Sequence, residues 1–296
     1  MTIRTVALLG FGEVGQVLAG DLRGSGGLSL RAHDPKFADP SSAPSQASAR
    51  QGIVTCVTAA EAARGADLVI CAVTAAQTVA AARSVTQALK PGAWFMDLNS
   101  ASPEAKIEAA DAIDGVTGRY VEVAVMSPIE PKRLSSPMLL GGPHAEAFAP
   151  LARALGFGGA VFYSDTPGKA AATKLCRSVM IKGLEALISE SLLSARFYGV
   201  EDIVLESLNN LFPHADWPGY ARYMVSRTLE HGTRRAEEMW EAARTVAEAG
   251  VTPWMSQAAA ERQAWAPGLA SALAHNDLKD MLDAMRAQLP PKDRPQ

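Results

Sequence analysis

Short apolar runs alternate with alanine-rich, amphipathic stretches through the first half of the chain. The apolar runs predict strands over residues 4–9, 28–32, 53–57, 68–73, 94–98, 120–125, 138–140 and 160–163. Between them, residues 13–22, 75–89 and 103–113 have helical length and few helix breakers. Strands that alternate with helices at this spacing predict a parallel sheet covered by helices on both faces.

The pattern changes near residue 165, after which nearly every segment is compatible with a helix. A long helix is predicted over 169–198, followed by helices over 201–211, 220–230, 234–249, 253–265 and 278–289. We therefore predict two domains, an α/β domain in residues 1–164 and an all-helical domain in residues 165–296. Residues 38–48 are rich in Ser, Ala and Pro, which indicates a surface loop with at most one short helix.

Composition places the chain among globular proteins and excludes several classes of function. The 296 residues are 48% hydrophobic and 20% charged, which is not the composition of a largely disordered chain. With 28 basic and 31 acidic residues the formal charge is −3, so no bulk attraction for nucleic acid or an anionic membrane is expected. No apolar run approaches the ~18 residues of a membrane span. We expect a cytoplasmic protein that binds neither nucleic acid nor membrane.

A glycine-rich turn between the first predicted strand and the first predicted helix is the clearest motif. Its six residues are Gly10, Phe11, Gly12, Glu13, Val14 and Gly15. In a G-x-G-x-x-G turn the first glycine allows the tight turn, the second lets a pyrophosphate approach, and the third lets helix and strand pack closely. The amides at the helix N-terminus then bind the anion. The motif predicts a Rossmann-type doubly wound parallel sheet that binds a dinucleotide.

Asp34 indicates which dinucleotide is bound. It ends the second predicted strand, 34 − 15 = 19 positions after the last glycine. A carboxylate there accepts hydrogen bonds from the adenosine ribose and repels a 2′-phosphate. NAD is therefore the predicted cofactor, while the nearby basic residues Arg31 and Lys36 leave NADP open.

Further cofactor and substrate contacts are expected where later strands end, because ligands of open α/β sheets bind at the carboxyl ends of the strands. Val73 ends the fourth predicted strand and Thr74 follows it, while Asn99 and Ser100 follow the fifth. We assign the first three to the cofactor and the last two to the substrate, so that Asn99 contacts both. Ser102, just before Pro103, is instead predicted to cap the next helix.

Three further segments share features with a known family: MDLNSASP at 96–103, YVEVAVMSP at 120–128 and GKAAATKL at 168–175. Together they resemble the β-hydroxyacid dehydrogenase superfamily, which includes 6-phosphogluconate and 3-hydroxyisobutyrate dehydrogenases. The first two are similar to the superfamily's substrate-binding segments. The third is similar to the helix on which a glycine precedes the essential lysine by six positions. Residues 227–239 resemble a little-characterised branch whose C-terminal domain is described as phosphogluconate dehydrogenase-like.

The resemblance implies an NAD-dependent dehydrogenase that acts on a small polar hydroxy acid, such as a sugar acid or another β-hydroxy acid. Lys174 corresponds to the catalytic lysine and would act as general acid and base, with the substrate between the two domains. Some relatives also decarboxylate or isomerise the product. The helical domain of relatives forms the dimer, so a homodimer is expected.

Two departures from the superfamily pattern affect the expected substrate contacts. Ser178 stands four residues after Lys174, where relatives usually carry Asn, and its side chain has a shorter reach. The second segment ends in Met126-Ser127-Pro128 instead of Ser-Gly-Gly, and Pro128 has no amide to donate. We keep Ser127 and Ser178 as substrate contacts and expect other donors for the substrate carboxylate.

Arg235 and His231 are candidates for those missing contacts. They are four residues apart and share a helix face if Gly232 does not break the helix. Arg235 could bind a carboxylate with its bidentate guanidinium, and His231 could bind a substrate hydroxyl. A solvated or dimer-contact face explains the same pattern, and Arg234 and Glu238, also four residues apart, have the spacing of a surface ion pair.

No metal is expected, because the chain lacks HExxH and paired-cysteine patterns. Cys56, Cys71 and Cys176 are interpreted as reduced thiols, with Cys176 assigned to core packing. Two alternatives remain beside the dehydrogenase. One is an NADPH-dependent imine or carbonyl reductase, although imine reductases on this fold generally replace the lysine. The other is a non-catalytic NAD-binding sensor or scaffold.

Overall fold

The computed structural model describes residues 2–24, 26–210 and 216–289. It divides into two compact units, Met1–Leu175 and Cys176–Gln296. The predicted boundary at 164/165 lies before the long helix Lys169–Tyr198, whereas the two compact units meet inside that helix. The start of the helix is joined to the first unit, because the Gly168 and Ala171 N–H groups donate to the side-chain carboxylate of Glu122 in the sheet.

The first unit is built on an eight-stranded sheet. Its strands are β1 Thr5–Leu9, β2 Ser29–His33, β3 Val54–Thr55, β4 Leu68–Cys71, β5 Trp94–Asp97, β6 Arg119–Val125, β7 Met138–Gly141 and β8 Ala160–Ser164. The spatial order is β3-β2-β1-β4-β5-β6-β7-β8, and every adjacent pair is parallel except β6 with β7. The predicted doubly wound α/β sheet is confirmed, and the antiparallel pair is an addition that apolar runs could not indicate, because they carry no strand direction.

Helices cover both faces of this sheet and then form the second unit. They are α1 Glu13–Gly24, α2 Ala43–Gln51, α3 Ala59–Ala63, α4 Thr78–Val85, α5 Pro103–Asp114, α6 Ala145–Ala154, α7 Lys169–Tyr198, α8 Glu201–Ser207, α9 Trp217–Glu248, α10 Trp254–Trp265 and α11 Leu278–Ala287. The predicted helix over 201–211 is observed as α8 followed by a 3-10 turn, Leu208–Asn210; residue 211 lies outside the described residues. None of the described helices is long and apolar enough to span a bilayer.

Alternate residues of each central strand enter two different cores. In β1, Val6 and Leu8 belong to the core on one face of the sheet, and Ala7 and Leu9 belong to the core on the other. Burial on both faces explains why these strands are continuous apolar runs. Each face of the sheet therefore has its own hydrophobic core.

The helix α9 corrects the prediction of two separate helices over 220–230 and 234–249. Gly232 lies between them and costs about 1 kcal/mol in a helix relative to Ala. However, a Cβ on Gly232 would lie 2.4 Å from the Gln263 carbonyl oxygen and 2.7 Å from Pro267 Cδ. The glycine therefore allows α10 and the residues after it to pack closely on α9, and that packing offsets its low helix propensity.

Candidate active site

The glycine-rich turn connects β1 to α1 at the carboxyl edge of the sheet, beside β4, where the strand order reverses. Gly10 has a φ of +87°, and a Cβ there would lie 2.3 Å from the Ala72 carbonyl oxygen. A Cβ on Gly15 would lie 2.2 Å from the Gly10 carbonyl oxygen. Gly12 differs, because a Cβ there would meet nothing within 4 Å. Packing inside the protein thus requires Gly10 and Gly15, and the open space at Gly12 fits a pyrophosphate against the helix N-terminus.

Asp34, at the end of β2, is hydrogen-bonded to this turn. Its Oδ2 accepts the Phe11 N–H at 2.7 Å and its Oδ1 accepts the Lys36 N–H at 2.9 Å. The Phe11 ring is buried and packs against Phe37, with centroids 5.6 Å apart, so only the backbone of Phe11 faces the loop. Each carboxylate oxygen retains acceptor capacity for a ribose hydroxyl.

The other predicted cofactor residues near this loop have distinct environments. Glu13 is exposed in the first turn of α1, and Val14 packs partly against the core. Arg31, one of the two basic residues that leave NADP open, donates from a guanidinium nitrogen to the Arg64 carbonyl oxygen at 2.6 Å. Lys36 is exposed.

Asn99 connects the carboxyl ends of β4 and β5. Its Oδ1 accepts the Val73 N–H at 2.7 Å, and its Nδ2 lies 3.4 Å from Cys71 Sγ. Its own N–H donates to Asp97 Oδ1 at 2.9 Å. The side chain is buried and holds the Val73-Thr74 backbone in place. Its direct contact with a ligand stays a prediction.

Lys174 and Ser100, predicted from separate motifs 74 positions apart, come together in the first unit. The Lys174 Nζ donates to the Ser100 Oγ at 2.6 Å. Both residues are half-buried. An amine and a hydroxyl in such a position can bind an oxygen substituent and exchange a proton with it. Ser102, two residues further on, caps α5 by accepting the Ala105 N–H at 3.4 Å, as predicted.

A buried polar network lies in β5, β6 and α5. Asp97 Oδ1 is 2.9 Å from Lys106 Nζ, and Asp97 Oδ2 accepts the Tyr120 hydroxyl at 2.6 Å. Glu122, also fully buried, accepts the Gly168 N–H at 2.7 Å and the Ala171 N–H at 2.5 Å. Burial raises the pKa of Glu122, while Lys106 and the two N–H groups act in the opposite direction.

Sequence reasoning assigned no role to Glu122. A signal was present, since it is a single carboxylate in the otherwise apolar strand 120–125, and a buried charge needs a partner. Ser127, further along the same segment, donates its hydroxyl to the Pro128 carbonyl oxygen at 3.0 Å. The role of Ser127 toward a substrate stays a prediction.

The remaining predicted substrate residues lie in the second unit. Ser178 Oγ accepts a hydrogen bond from Lys182 Nζ at 3.1 Å. The Arg235 guanidinium forms an ion pair with Glu185, and 11% of its side chain is exposed. A protein carboxylate therefore already compensates the charge that was predicted to bind the substrate, and the substrate contact of Arg235 stays a prediction.

His231 shares a face of α9 with Arg235, because the helix continues through Gly232. Its Nε2 lies 3.2 Å from Glu230 Oε2, and burial together with Arg227 lowers the pKa of His231. The predicted pair Arg234–Glu238 is present at 3.7 Å. The substrate contact of His231 also stays a prediction.

The cysteines differ in exposure, and none of the described residues forms a metal cluster. Cys56 and Cys71 are buried, but Cys176 is exposed, so its assignment to core packing is wrong. It lies on the solvent face of α7, whereas Leu175 and Ser178 are buried. Within the described part of the chain, no group of three His, Cys, Asp or Glu side chains could hold a metal ion.

The sheet order, the glycine turn and Asp34 define a dinucleotide-binding α/β protein with a helical second unit. Residues 5–164 match the family described as the NAD binding domain of 6-phosphogluconate dehydrogenase, and residues 195–266 match a domain of unknown function, DUF1932. The chain belongs to the β-hydroxyacid dehydrogenase superfamily, in the group that resembles 6-phosphogluconate and 3-hydroxyisobutyrate dehydrogenases.

Solved structures share this architecture. A conserved hypothetical protein from Sinorhizobium meliloti 1021 is 38% identical with a TM-score of 0.77, over 97% of each chain. The conserved protein MTH1747, described as structurally similar to 3-hydroxyacid dehydrogenases, is 28% identical with a TM-score of 0.69, over 88% of this chain and 96% of that one. The 3-hydroxyisobutyrate dehydrogenase of Mycobacterium tuberculosis has the same fold, with 20% identity and a TM-score of 0.71 over 97% and 99% of the two chains. No curated protein matches the chain.

Proposed function

We propose that this protein is an NAD-dependent dehydrogenase that transfers a hydride between the cofactor and a small polar hydroxy acid. The observation that carries the proposal is the 2.6 Å hydrogen bond between Lys174 Nζ and Ser100 Oγ. It joins the lysine of one family motif to the hydroxyl of another, on a chain whose first unit belongs to a nucleotide-binding family.

NAD, when bound, supplies the hydride acceptor, and the protein supplies binding, orientation and proton transfer. The open space at Gly12 and the amides of α1 suit the pyrophosphate, while Asp34 suits the ribose. Lys174 accepts the substrate hydroxyl proton during oxidation and returns it during reduction. Ser100 orients the amine and donates to, or accepts from, the reacting oxygen.

NAD rather than NADP is the proposed cofactor, for electrostatic reasons. The Asp34 carboxylate repels a 2′-phosphate, and Arg31 is engaged with the Arg64 carbonyl oxygen. Lys36 is the basic group that would have to compensate a phosphate, and it is exposed, so solvent and salt would screen its charge.

A homodimer through the helical unit is part of the proposal. On α7, Met180, Ile181, Leu184 and Leu187 have exposed fractions of 63%, 39%, 38% and 52%. Their spacing places them along one side of the helix, and a continuous exposed apolar stripe of this kind marks a surface that binds a partner. A second copy of the chain is the proposed partner.

The test is reduction of NAD or NADP by the full-length protein in the presence of a panel of aldonates and other hydroxy acids. We expect turnover with NAD that falls by roughly 10²- to 10⁴-fold in Lys174→Ala. Lys169→Ala, an exposed lysine at the start of the same helix, is the matched control and should retain activity. Equal turnover in Lys174→Ala would refute the role of Lys174. Activity with imines and NADPH alone would favour the reductase alternative.

A further inference from the structure

The first turn of α7 is hydrogen-bonded to a carboxylate of β6, which lies 46 positions earlier in the sequence. The first N–H groups of a helix have no partner within the helix, and Gly168, which precedes α7, has no side chain to cap them. Gly168 has a φ of +88°, and a Cβ there would lie 3.2 Å from Pro103 Cβ and 3.3 Å from its carbonyl oxygen. The Gly168 and Ala171 N–H groups instead donate to the two carboxylate oxygens of Glu122.

The neighbouring strand leaves room for this carboxylate. Gly141 of β7 pairs with Glu122 across the antiparallel ladder. A Cβ on Gly141 would lie 2.6 Å from Glu122 Oε2, closer than any ordinary contact. Glycine at 141 therefore permits the Glu122 side chain to reach the helix, and glycine at 168 permits the helix to approach α5.

The two carboxylate oxygens of Glu122 accept backbone N–H groups, while the polar side chains nearby interact with Asp97. Lys106 is paired with Asp97 at 2.9 Å, and Tyr120 donates to the same Asp97. Charge-assisted hydrogen bonds from N–H groups to a carboxylate are about twice as strong as neutral ones. A carboxylate is an acceptor only, so each of its two oxygens can accept one N–H group. A side-chain amide at residue 122 would instead present its own NH2 group to one of the two N–H donors.

We infer that Glu122 is a positioning residue for Lys174. By fixing Gly168 and Ala171, it sets where the Lys174 side chain meets Ser100. Lys174 is three residues beyond Ala171, which is about 4.5 Å along a rigid helix, so a shift of the first turn moves the amine directly. The inference rests on the proposed function for the role of Lys174, and it concerns a residue that touches neither cofactor nor substrate.

The test compares two carboxylates of the same sheet. In Glu122→Gln the amide would face one of the N–H donors. The control is Asp67→Asn. It removes a carboxylate that also accepts two backbone N–H groups, at the amino ends of β1 and β4. With NAD and a hydroxy acid that the wild type oxidises, we expect Glu122→Gln to lower kcat by about a hundredfold with an unchanged KM for NAD. Glu122→Asp should restore part of the loss, and Asp67→Asn should keep the wild-type kcat.

A second readout needs no substrate. Competitive acetylation of Lys174 by acetic anhydride, followed by mass spectrometry across a pH series, reports the environment of the amine. We expect the labelling profile of Lys174 to change in Glu122→Gln and to stay unchanged in Asp67→Asn. If no hydroxy acid of the panel is oxidised by the wild type, the proposed function fails, while the labelling still decides the role of Glu122.

Two results would overturn the inference. One is a Glu122→Gln protein with wild-type kcat and wild-type Lys174 labelling, whatever its melting temperature. The other is an equal loss in Asp67→Asn, which would indicate a general effect on the sheet. If Glu122→Gln does not fold, Gly141→Ala serves instead, because its Cβ displaces the carboxylate and keeps the charge; the same changes in kcat and labelling are expected.

Discussion

Glu122 in the first unit and Glu185 in the second are both buried carboxylates, and they are compensated in different ways. Glu122 in the first unit receives two backbone N–H groups. Glu185 in the second unit receives the Arg235 guanidinium and the Gln263 side-chain amide, the latter at 3.3 Å. Burial raises the pKa of both. Backbone donors fix the path of the main chain, whereas side-chain donors connect helices and can be removed singly by mutation. We therefore expect the Glu122 hydrogen bonds to position the start of α7, and the Glu185 ion pair to stabilise the second unit.

Removing the cation from Glu185 should have the largest effect on stability. Arg235→Met removes the ion-pair partner of the buried Glu185 carboxylate, and breaking such a buried pair typically costs about 3–5 kcal/mol. Denaturant unfolding followed by tryptophan fluorescence measures the loss. Arg234→Met is the matched control, since that side chain is 49% exposed and should cost at most about 1 kcal/mol.

A double variant distinguishes the loss of the Glu185–Arg235 ion pair from the loss of the packing of the Arg235 side chain. In Glu185→Gln with Arg235→Met, the Gln carbonyl still accepts from Gln263 and neither altered position carries a charge, so much of the stability lost in Arg235→Met should return. A double variant that is no more stable than Arg235→Met would contradict the importance of charge compensation at this site.

Asp67 provides an intermediate case, held by backbone donors but also paired with a lysine. Burial opposes its ionisation, but the hydrogen bonds from Lys90, Thr5 and Arg4 outweigh it and lower the pKa of Asp67 to about 2. A lowered carboxyl pKa stabilises the fold above pH 3.8, and this contribution disappears as the pH falls toward 2. Asp67→Asn should therefore lower the free energy of unfolding by about 2 kcal/mol at neutral pH.

The pH dependence of the free energy of unfolding tests the prediction for Asp67. The stability difference between wild type and Asp67→Asn should narrow as the pH is lowered from 4 to 2, measured by denaturant unfolding at each pH. A difference that stays constant over that range would mean that the carboxylate charge contributes nothing. Enzyme turnover should be the same in both proteins at neutral pH.

Two serines of one segment should show the smallest changes in stability and the clearest separation of roles. Ser102→Ala removes the cap of α5 and should cost about 1 kcal/mol with little effect on turnover. Ser100→Ala should leave the free energy of unfolding unchanged and lower kcat by roughly 10- to 100-fold, because it removes the hydroxyl that orients the Lys174 amine. The reverse pattern, with Ser102→Ala inactive and Ser100→Ala unstable, would exchange their roles.

Local patterns carried most of what the sequence predicted correctly. The glycine turn, the cap at Ser102 and the full extent of α7 each depend on neighbouring residues, so they could be inferred from spacing and residue type. The partners of Glu122 and Glu185 lie 46 and 50 positions away, and spacing along the chain carries no information about them. The helix α9 was divided incorrectly at Gly232 for the same reason, since the atoms that require a glycine there come from Gln263 and Pro267.

The hydrogen bonds between Glu122 and the start of α7 also determine how the chain can be divided or recombined. The match to the nucleotide-binding family ends at residue 164, and a fragment that stops there would lack the Gly168 and Ala171 N–H groups that bind the Glu122 carboxylate. A fragment that continues through Leu175 retains both. In chimeras that exchange the helical half between relatives, the first two turns of α7 should therefore come from the parent that supplies the sheet. Lys174 and Glu122 then come from the same parent.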